Sequence, residues 1–332
     1  MATGSFAPDR ARAAQAAAAI DSSLLASFDH LAEACAAQLD IEGGGLRKLR
    51  CALAAGRVAS PAHYAVHFAL LDAIAEEDDA ALRRCFALLG DAEAIDPEQT
   101  LSRRVAVLDS DAIGSDIAAL YLRNIDADEA RPLNLMPPPL QSVPAARSLI
   151  EEATALIGRI APELAGEIVA LVRQILLASD RPGAPHPFCG ASSFFLWGAV
   201  CFNPLRHAGA YQAAETLVHE AAHILLTALA KEEPLVRNPH GARYRSPVRT
   251  DPRPMEGIYH ATFVLARTCW FHRAAAATAD LPQAMRKQAE QAAEQDSRYF
   301  LDGFATVMAR AELSGLGRAL IEDAARFVRD GV

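Results

Sequence analysis

His219 and His223 are the residues of this chain best suited to chemistry. They stand four positions apart in the run Leu217-Val218-His219-Glu220-Ala221-Ala222-His223. On an α-helix that spacing puts two side chains one turn apart, about 6 Å along the axis and on one face. Two neutral imidazoles so placed can grip a single divalent metal ion. Glu220 points to the side of the pair, where a carboxylate can hold a water or orient a ligand. The alternative is a chance His-Glu-x-x-His on a core helix. Context favours a metal, because unpaired polar groups on a mostly apolar helix are costly.

The elements must supply that helix and a third ligand. Leu217, Ala221, Ile224, Leu225 and Ala228 recur at helical spacing, and Pro234 lies just past the expected end. A catalytic metal usually takes three protein ligands and keeps a position open for water or substrate. A further His at position 229 would extend the motif, but Leu229 stands there, and Leu226 replaces the glycine that such a pattern needs. The remaining candidates are Glu256 and His260, which share one face of a later helix. His260 is favoured, because a neutral imidazole costs less to bury than a carboxylate on an apolar helix. His272 reads as a surface or end-of-helix residue. A second pair, His63 and His67, also has the four-residue spacing but has no acidic or third imidazole ligand beside it.

Lys231, Arg237, Arg243, Arg245, Arg249 and Arg253 crowd the stretch between the two helices. Basic side chains close to a metal suggest an anion site. Arg249 and Arg253 are its candidate residues, with Ser246 at the head of the same run. Asp251 is placed to tie one of the two arginines. Pro254 suits the first position of the helix from Met255 to about Arg273, which is apolar all round and so expected to be central.

The rest of the chain reads as helices. Asp21 or Ser22 is a candidate cap for a second helix after a frayed first one. Ser60-Pro61 caps another. Val105 to Leu108 is a short strand candidate, and Asp111 to Arg123 a helix. Ala145 to Ile160 and Pro162 to Ala178 show apolar stripes at helical spacing, and two or three helices follow Asp280. Residues 188–203 are dense in Phe, Trp and Val and read as a hairpin, whose open edge could lie along a bound peptide or could simply cover the core. The expected fold is mainly α: a helical bundle-like body with one small β-hairpin. The proline-rich link 131–139 divides an N-terminal helical region, 1–136, from a metal-binding catalytic region, 140–332, or straps one continuous domain.

Composition sets the outer limits. Of 332 residues, 52% are hydrophobic and 22% charged, enough apolar surface for a full core. Aromatics are only 6%, which with abundant alanine favours helix over sheet. A net charge of -9 disfavours nucleic acid as the main partner. No apolar run is long enough to span a bilayer, and no signal peptide is evident. The six cysteines form no CxxC pair and read as small buried thiols of a cytoplasmic protein.

The run His219-Glu-Ala-Ala-His223, then Ser246-Pro-Val-Arg-Thr-Asp-Pro-Arg-Pro254, then Gly257-Ile-Tyr-His260 resembles the HExxH-type peptide β-hydroxylases of ribosomal peptide natural product biosynthesis. The resemblance covers residues 188–270. It implies a mononuclear Fe(II) site, 2-oxoglutarate as cosubstrate, O2 as oxidant, a precursor peptide as substrate, and a helical fold instead of a double-stranded β-helix. Such proteins are often fused to a radical S-adenosylmethionine domain. This chain has no CxxxCxxC and would be the stand-alone form. Val248 stands where relatives carry Trp, which alters the expected pocket wall.

Two enzyme readings follow. In the first, His219, His223 and His260 (or Glu256) hold Fe(II), Arg249 or Arg253 meets the distal carboxylate of 2-oxoglutarate, and Glu220 supports the site without carrying protons. In the second, the chain is a zinc peptidase with Glu220 as general base. The arginine-rich loop leans toward the first, because a peptidase needs no dicarboxylate clamp. A helical binding protein with a structural metal ranks last, since no cysteine adjoins the motif.

Overall fold

The computed structural model describes residues 5–36, 43–126, 132–184, 186–231, 233–246 and 251–330. The fold is mainly α: the described residues are 66% helical, with short strands in small sheets and no barrel among them. In chain order the helices and strands are α1 (Arg10–Ala36), α2 (Gly44–Ala54), α3 (Pro61–Ala75), α4 (Asp79–Asp91), β1 (Val105–Val107), α5 (Ser110–Ile113), α6 (Ser115–Ile125), β2 (Leu135–Met136), α7 (Val143–Ile160), α8 (Pro162–Leu171), β3 (Gln174–Leu177), β4 (Ser179–Asp180), β5 (Gly190–Ala191), β6 (Ala199–Phe202), α9 (Ala210–Leu229), α10 (Met255–Ala277), α11 (Gln283–Arg310) and α12 (Gly315–Asp330). They fall into two compact units, each built from separate stretches of chain.

The first unit comprises Met1–Arg12, Ala155–Ile168 and Ala214–Val332, and so holds most of α9 and all of α10 to α12. Helix α10 forms its centre, as its all-round apolar character predicts. Ile258, Tyr259, Phe263, Val264, Ala266, Cys269 and Phe271 are all buried. The helix starts after Arg253-Pro254, where proline's fixed φ of -56° leads into the first turn. Its buried polar groups have partners. The Tyr259 hydroxyl donates to Gly317 O at 2.8 Å. Arg267 pairs with Glu167 and donates to Phe6 O at 2.6 Å. Such pairing offsets the heavy cost of burying a guanidinium. Gly317 is required where it stands, because a Cβ there would meet Leu235 O at 2.2 Å.

The second unit comprises Ala13–Thr154 and Val169–Ala213. It carries a four-stranded sheet in the order β1-β3-β6-β5, with β1, β3 and β6 parallel and β5 antiparallel at one edge. The expected hairpin is therefore only the β5–β6 margin of a larger sheet. Strand β6 has a neighbour on each side, so the edge open to an extended chain belongs to β5. Strand β3 corrects the helix expected through Ala178, since α8 stops at Leu171. A run of residues buried in succession carries no alternation to separate strand from helix.

Asp21 is not a cap. It lies inside the single long helix α1, buried, and accepts from Arg173 Nη1 at 2.8 and 2.9 Å and from the Tyr64 hydroxyl at 2.6 Å. Arg173 also lies over the Trp197 ring at 4.8 Å. The His63 and His67 pair is explained without a metal. His67 Nε2 lies 2.7 Å from the Ser27 hydroxyl. His63 Nδ1 accepts from Ser60 N at 3.0 Å and lies 2.8 Å from its hydroxyl, closing the N-terminus of α3.

His63 is 1% exposed. Burial pushes its pKa down to about 4, and the positive charges of Lys48 and Arg173 add to the depression. The folded chain thus refuses a proton that the unfolded chain takes up below about pH 6.5. The stability this contributes is fully present above pH 6.5 and is lost as pH falls toward 4. Urea denaturation of wild type and His63→Gln should show wild type losing roughly 2 kcal/mol more than the variant between pH 6.5 and 4.5. Parallel pH slopes would mean that His63 is not held neutral.

Candidate metal centre

Helix α9 presents the motif. The Gln212 side chain accepts from Ala208 N at 2.8 Å and satisfies a backbone donor ahead of its first turn. Its apolar residues Leu217, Val218, Ala221, Ala222, Ile224 and Leu225 are buried. His219 is exposed and His223 half-buried, so the pair stands at the margin of the apolar face. Glu220 is 6% exposed and turns away from water next to an exposed neighbour.

His223 has one of the other two expected histidines on each side. The rings of His219 and His223 lie 5.1 Å apart between centroids, edge to face. The His260 ring stacks near that of His223 at 5.9 Å with 20° between planes. Two imidazoles on one ion, each nitrogen about 2.1 Å from it, bring their centroids to roughly 5 Å. The His219–His223 spacing meets that figure. The His223–His260 spacing of 5.9 Å is longer than that figure. As the side chains stand, no group of three or more His, Cys, Asp or Glu among the described residues is closed around a metal position. The donor set itself fits a borderline divalent ion: three imidazoles, two of them held neutral. Burial, then the neighbouring His219 and His260, hold His223 well below its ordinary pKa. Burial also lowers His260, with the charge of Glu256 opposing. The neutral ring is the form that binds metal.

Glu256, the rival third ligand, faces elsewhere. Its side chain is 59% exposed, and its Oε2 lies 3.7 Å from His240 Nδ1. The loop between the helices is closed at its base by Tyr244 and Arg253, which exchange two backbone hydrogen bonds of 2.8 Å. Asn238 Nδ2 donates to the Tyr244 hydroxyl at 3.0 Å and to Arg310 O at 2.9 Å, anchoring that base to the end of α11. Asp251 ties Arg253, with Oδ2 2.7 Å from Nε. Ser246 is buried. Arg249 and Val248 lie outside the described residues.

His272 is not a surface residue. It is 0% exposed, with Nε2 3.7 Å from Asp296 Oδ2 and 3.8 Å from Glu215 Oε1. The Thr268 hydroxyl donates to Asp296 Oδ2 at 2.5 Å. Burial raises the Asp296 pKa, which His272 and His219 both counter. The sequence reading missed this cluster. Its traces are the four-residue spacings Glu215/His219 and Thr268/His272, each of which sets two polar groups on one helix face. No protein-family model matches the chain, and no curated protein matches it.

If His260 completes the set, His223→Ala and His260→Ala should each weaken Zn(II) affinity at least ~100-fold, because two ligands hold a divalent ion poorly. Glu256→Gln should stay within about threefold. Competition against a chromophoric chelator measures all three. A larger loss in Glu256→Gln than in His260→Ala would reverse the ligand assignment.

Proposed function

We propose that the chain is a non-haem Fe(II)- and 2-oxoglutarate-dependent oxygenase that hydroxylates the β-carbon of a residue in a ribosomally made precursor peptide. The observation that carries the reading is the placing of His219 beside His223 and of His260 beside His223, while Glu256 turns to His240. A three-imidazole face leaves coordination positions for a chelating cosubstrate and for O2. Resemblance to the HExxH-type peptide β-hydroxylases supplies the substrate class and the cosubstrate. None of the six cysteines forms a disulfide; four are buried as expected, whereas Cys51 and Cys189 are exposed, and exposed thiols outside any disulfide accord with a reducing, cytoplasmic site of action. No helix among the described residues is long and apolar enough to cross a membrane.

Fe(II), if bound there, would supply the oxidising chemistry: peptide C–H, O2 and 2-oxoglutarate would give peptide C–OH, succinate and CO2, one oxygen atom of O2 entering succinate and the other the hydroxyl. The protein's own residues prepare for it. His223 and His260 offer lone pairs at neutral pH because burial keeps them unprotonated. Glu220, turned from water, fits a supporting role on α9 better than a general base acting on solvent. Asp251 engages Arg253, so Arg249 is the arginine we assign to the distal carboxylate. Arg253, tied at its guanidinium and at its backbone, sets the base of the loop.

The test is succinate formation with Fe(II), ascorbate and varied 2-oxoglutarate. Succinate is expected with Fe(II) and not with Zn(II). Arg249→Lys should raise the 2-oxoglutarate requirement at least about tenfold through loss of one bidentate pair, with iron content unchanged. Arg253→Lys should shift it less. Peptide cleavage by the Zn(II) form without 2-oxoglutarate would replace this reading with the peptidase one.

A further inference from the structure

The second unit carries aromatic rings that its core does not use. Phe194 is 57% exposed and Phe195 41%. Both stand in the short turn Phe194–Leu196, which follows β5 by three residues. The Ser193 hydroxyl accepts from Phe195 N at 3.2 Å and fixes that turn. Phe68 of α3 lies edge to face against both rings, at 5.3 Å from Phe194 and 5.0 Å from Phe195 between centroids. Leu71, exposed and one turn further along α3, extends the cluster. Exposed apolar side chains gathered in one place, unlike single scattered ones, mark an interaction surface.

The backbone beside this cluster is open to pairing. Strand β5 bonds to β6 and has no strand on its other side among the described residues. Asn203 N donates to Cys189 O at 3.0 Å, which makes residues 189 and 203 a hydrogen-bonded pair. Bonded and non-bonded pairs alternate along an antiparallel ladder. The amide and carbonyl of Gly190, opposite Phe202, therefore point away from β6. A glycine at that position lets another backbone approach closely. The opposite edge of the sheet is already engaged, because Arg147 donates to Val105 O of β1 at 2.9 Å.

Charge narrows the choice of occupant. Residues 72–84 carry five carboxylates, Asp72, Glu76, Glu77, Asp78 and Asp79, against Arg83 and Arg84. Arg123 reaches Asp72 at 2.6 Å, and the excess stays negative. Glu76 follows Phe68 by eight residues, about 12 Å along the helix, which four residues of extended chain span. A second copy of this chain seated on the same patch would set these carboxylates against one another, and like charges across an interface are costly.

We propose that this surface docks an extended peptide segment of a separate partner. The segment adds a strand at Gly190, lays a large apolar side chain on Phe68, Phe194 and Phe195, and turns Lys or Arg toward the end of α3. The inference concerns the second unit alone and does not rest on the metal reading.

The experiment selects random dodecapeptides displayed on phage against wild type and, in parallel, against Phe194→Ala, which removes a mostly exposed side chain. Wild type should enrich peptides that combine a large apolar residue with net positive charge. The most enriched peptide, made synthetically and followed by fluorescence anisotropy, should bind Phe194→Ala at least about tenfold more weakly. It should bind a variant carrying Glu76→Gln and Glu77→Gln about threefold more weakly at low salt. Amide hydrogen exchange at residues 189–191 should slow when the peptide is bound, and both variants should melt close to wild type. Equal enrichment on Phe194→Ala, or enriched peptides that lack the apolar residue or the positive charge, overturns the proposal. So does protection only outside residues 189–191, or weakening that merely tracks a lowered melting temperature. A wild-type dimer in sedimentation equilibrium that Phe194→Ala dissociates also overturns it, because the occupant would then be a second copy.

Discussion

Helix α10 has little solvent face, and that constraint fixes the direction of everything it carries. Ile258, Tyr259, Phe263, Ala266, Cys269 and Phe271 are buried within a few turns, so the helix cannot rotate about its axis without exposing large side chains. Each buried Ile or Phe among them contributes on the order of 1.5–3 kcal/mol. His260 and Glu256 lie on one face of this helix yet meet different surroundings. His260 is half-buried beside His223, and Glu256 projects outward near His240. Packing around α10 thus sets His260 beside His223 and Glu256 outward, and that difference is what favours His260 as third ligand in the proposed centre.

A second consequence concerns the cost of polarity. Imidazoles and carboxylates at the margin of apolar helices are stable only if something satisfies them. In the second unit the answers are internal: Asp21 takes Arg173 and Tyr64, and His63 takes Ser60. Along the His219, His223 and His260 face the rings meet chiefly one another. Two of them are kept neutral by burial, a poor arrangement for a structural role and a good one for metal binding.

Much of this was legible in the sequence because it depends on local spacing. The motif helix, the Ser60-Pro61 start, the strand at Val105 and the central helix after Pro254 all follow from periodicity and caps. The tie between Asp251 and Arg253 was readable because the two residues are close in the chain. What was not legible depends on distant partners. Asp21 looks like a cap until Arg173, 152 residues away, claims it. Strand β3 looks like the end of a helix because its Ile175, Leu176 and Leu177 are buried in succession and show no alternation. His272 looks like a helix end until Asp296 from α11 closes over it.

The coordination of iron in the loaded protein bears most directly on the account. X-ray absorption of the anaerobic Fe(II) form should show three imidazole ligands, with the remaining positions filled by light oxygen donors that change when 2-oxoglutarate is added. Two imidazoles with a protein carboxylate, or a spectrum indifferent to 2-oxoglutarate, would contradict it.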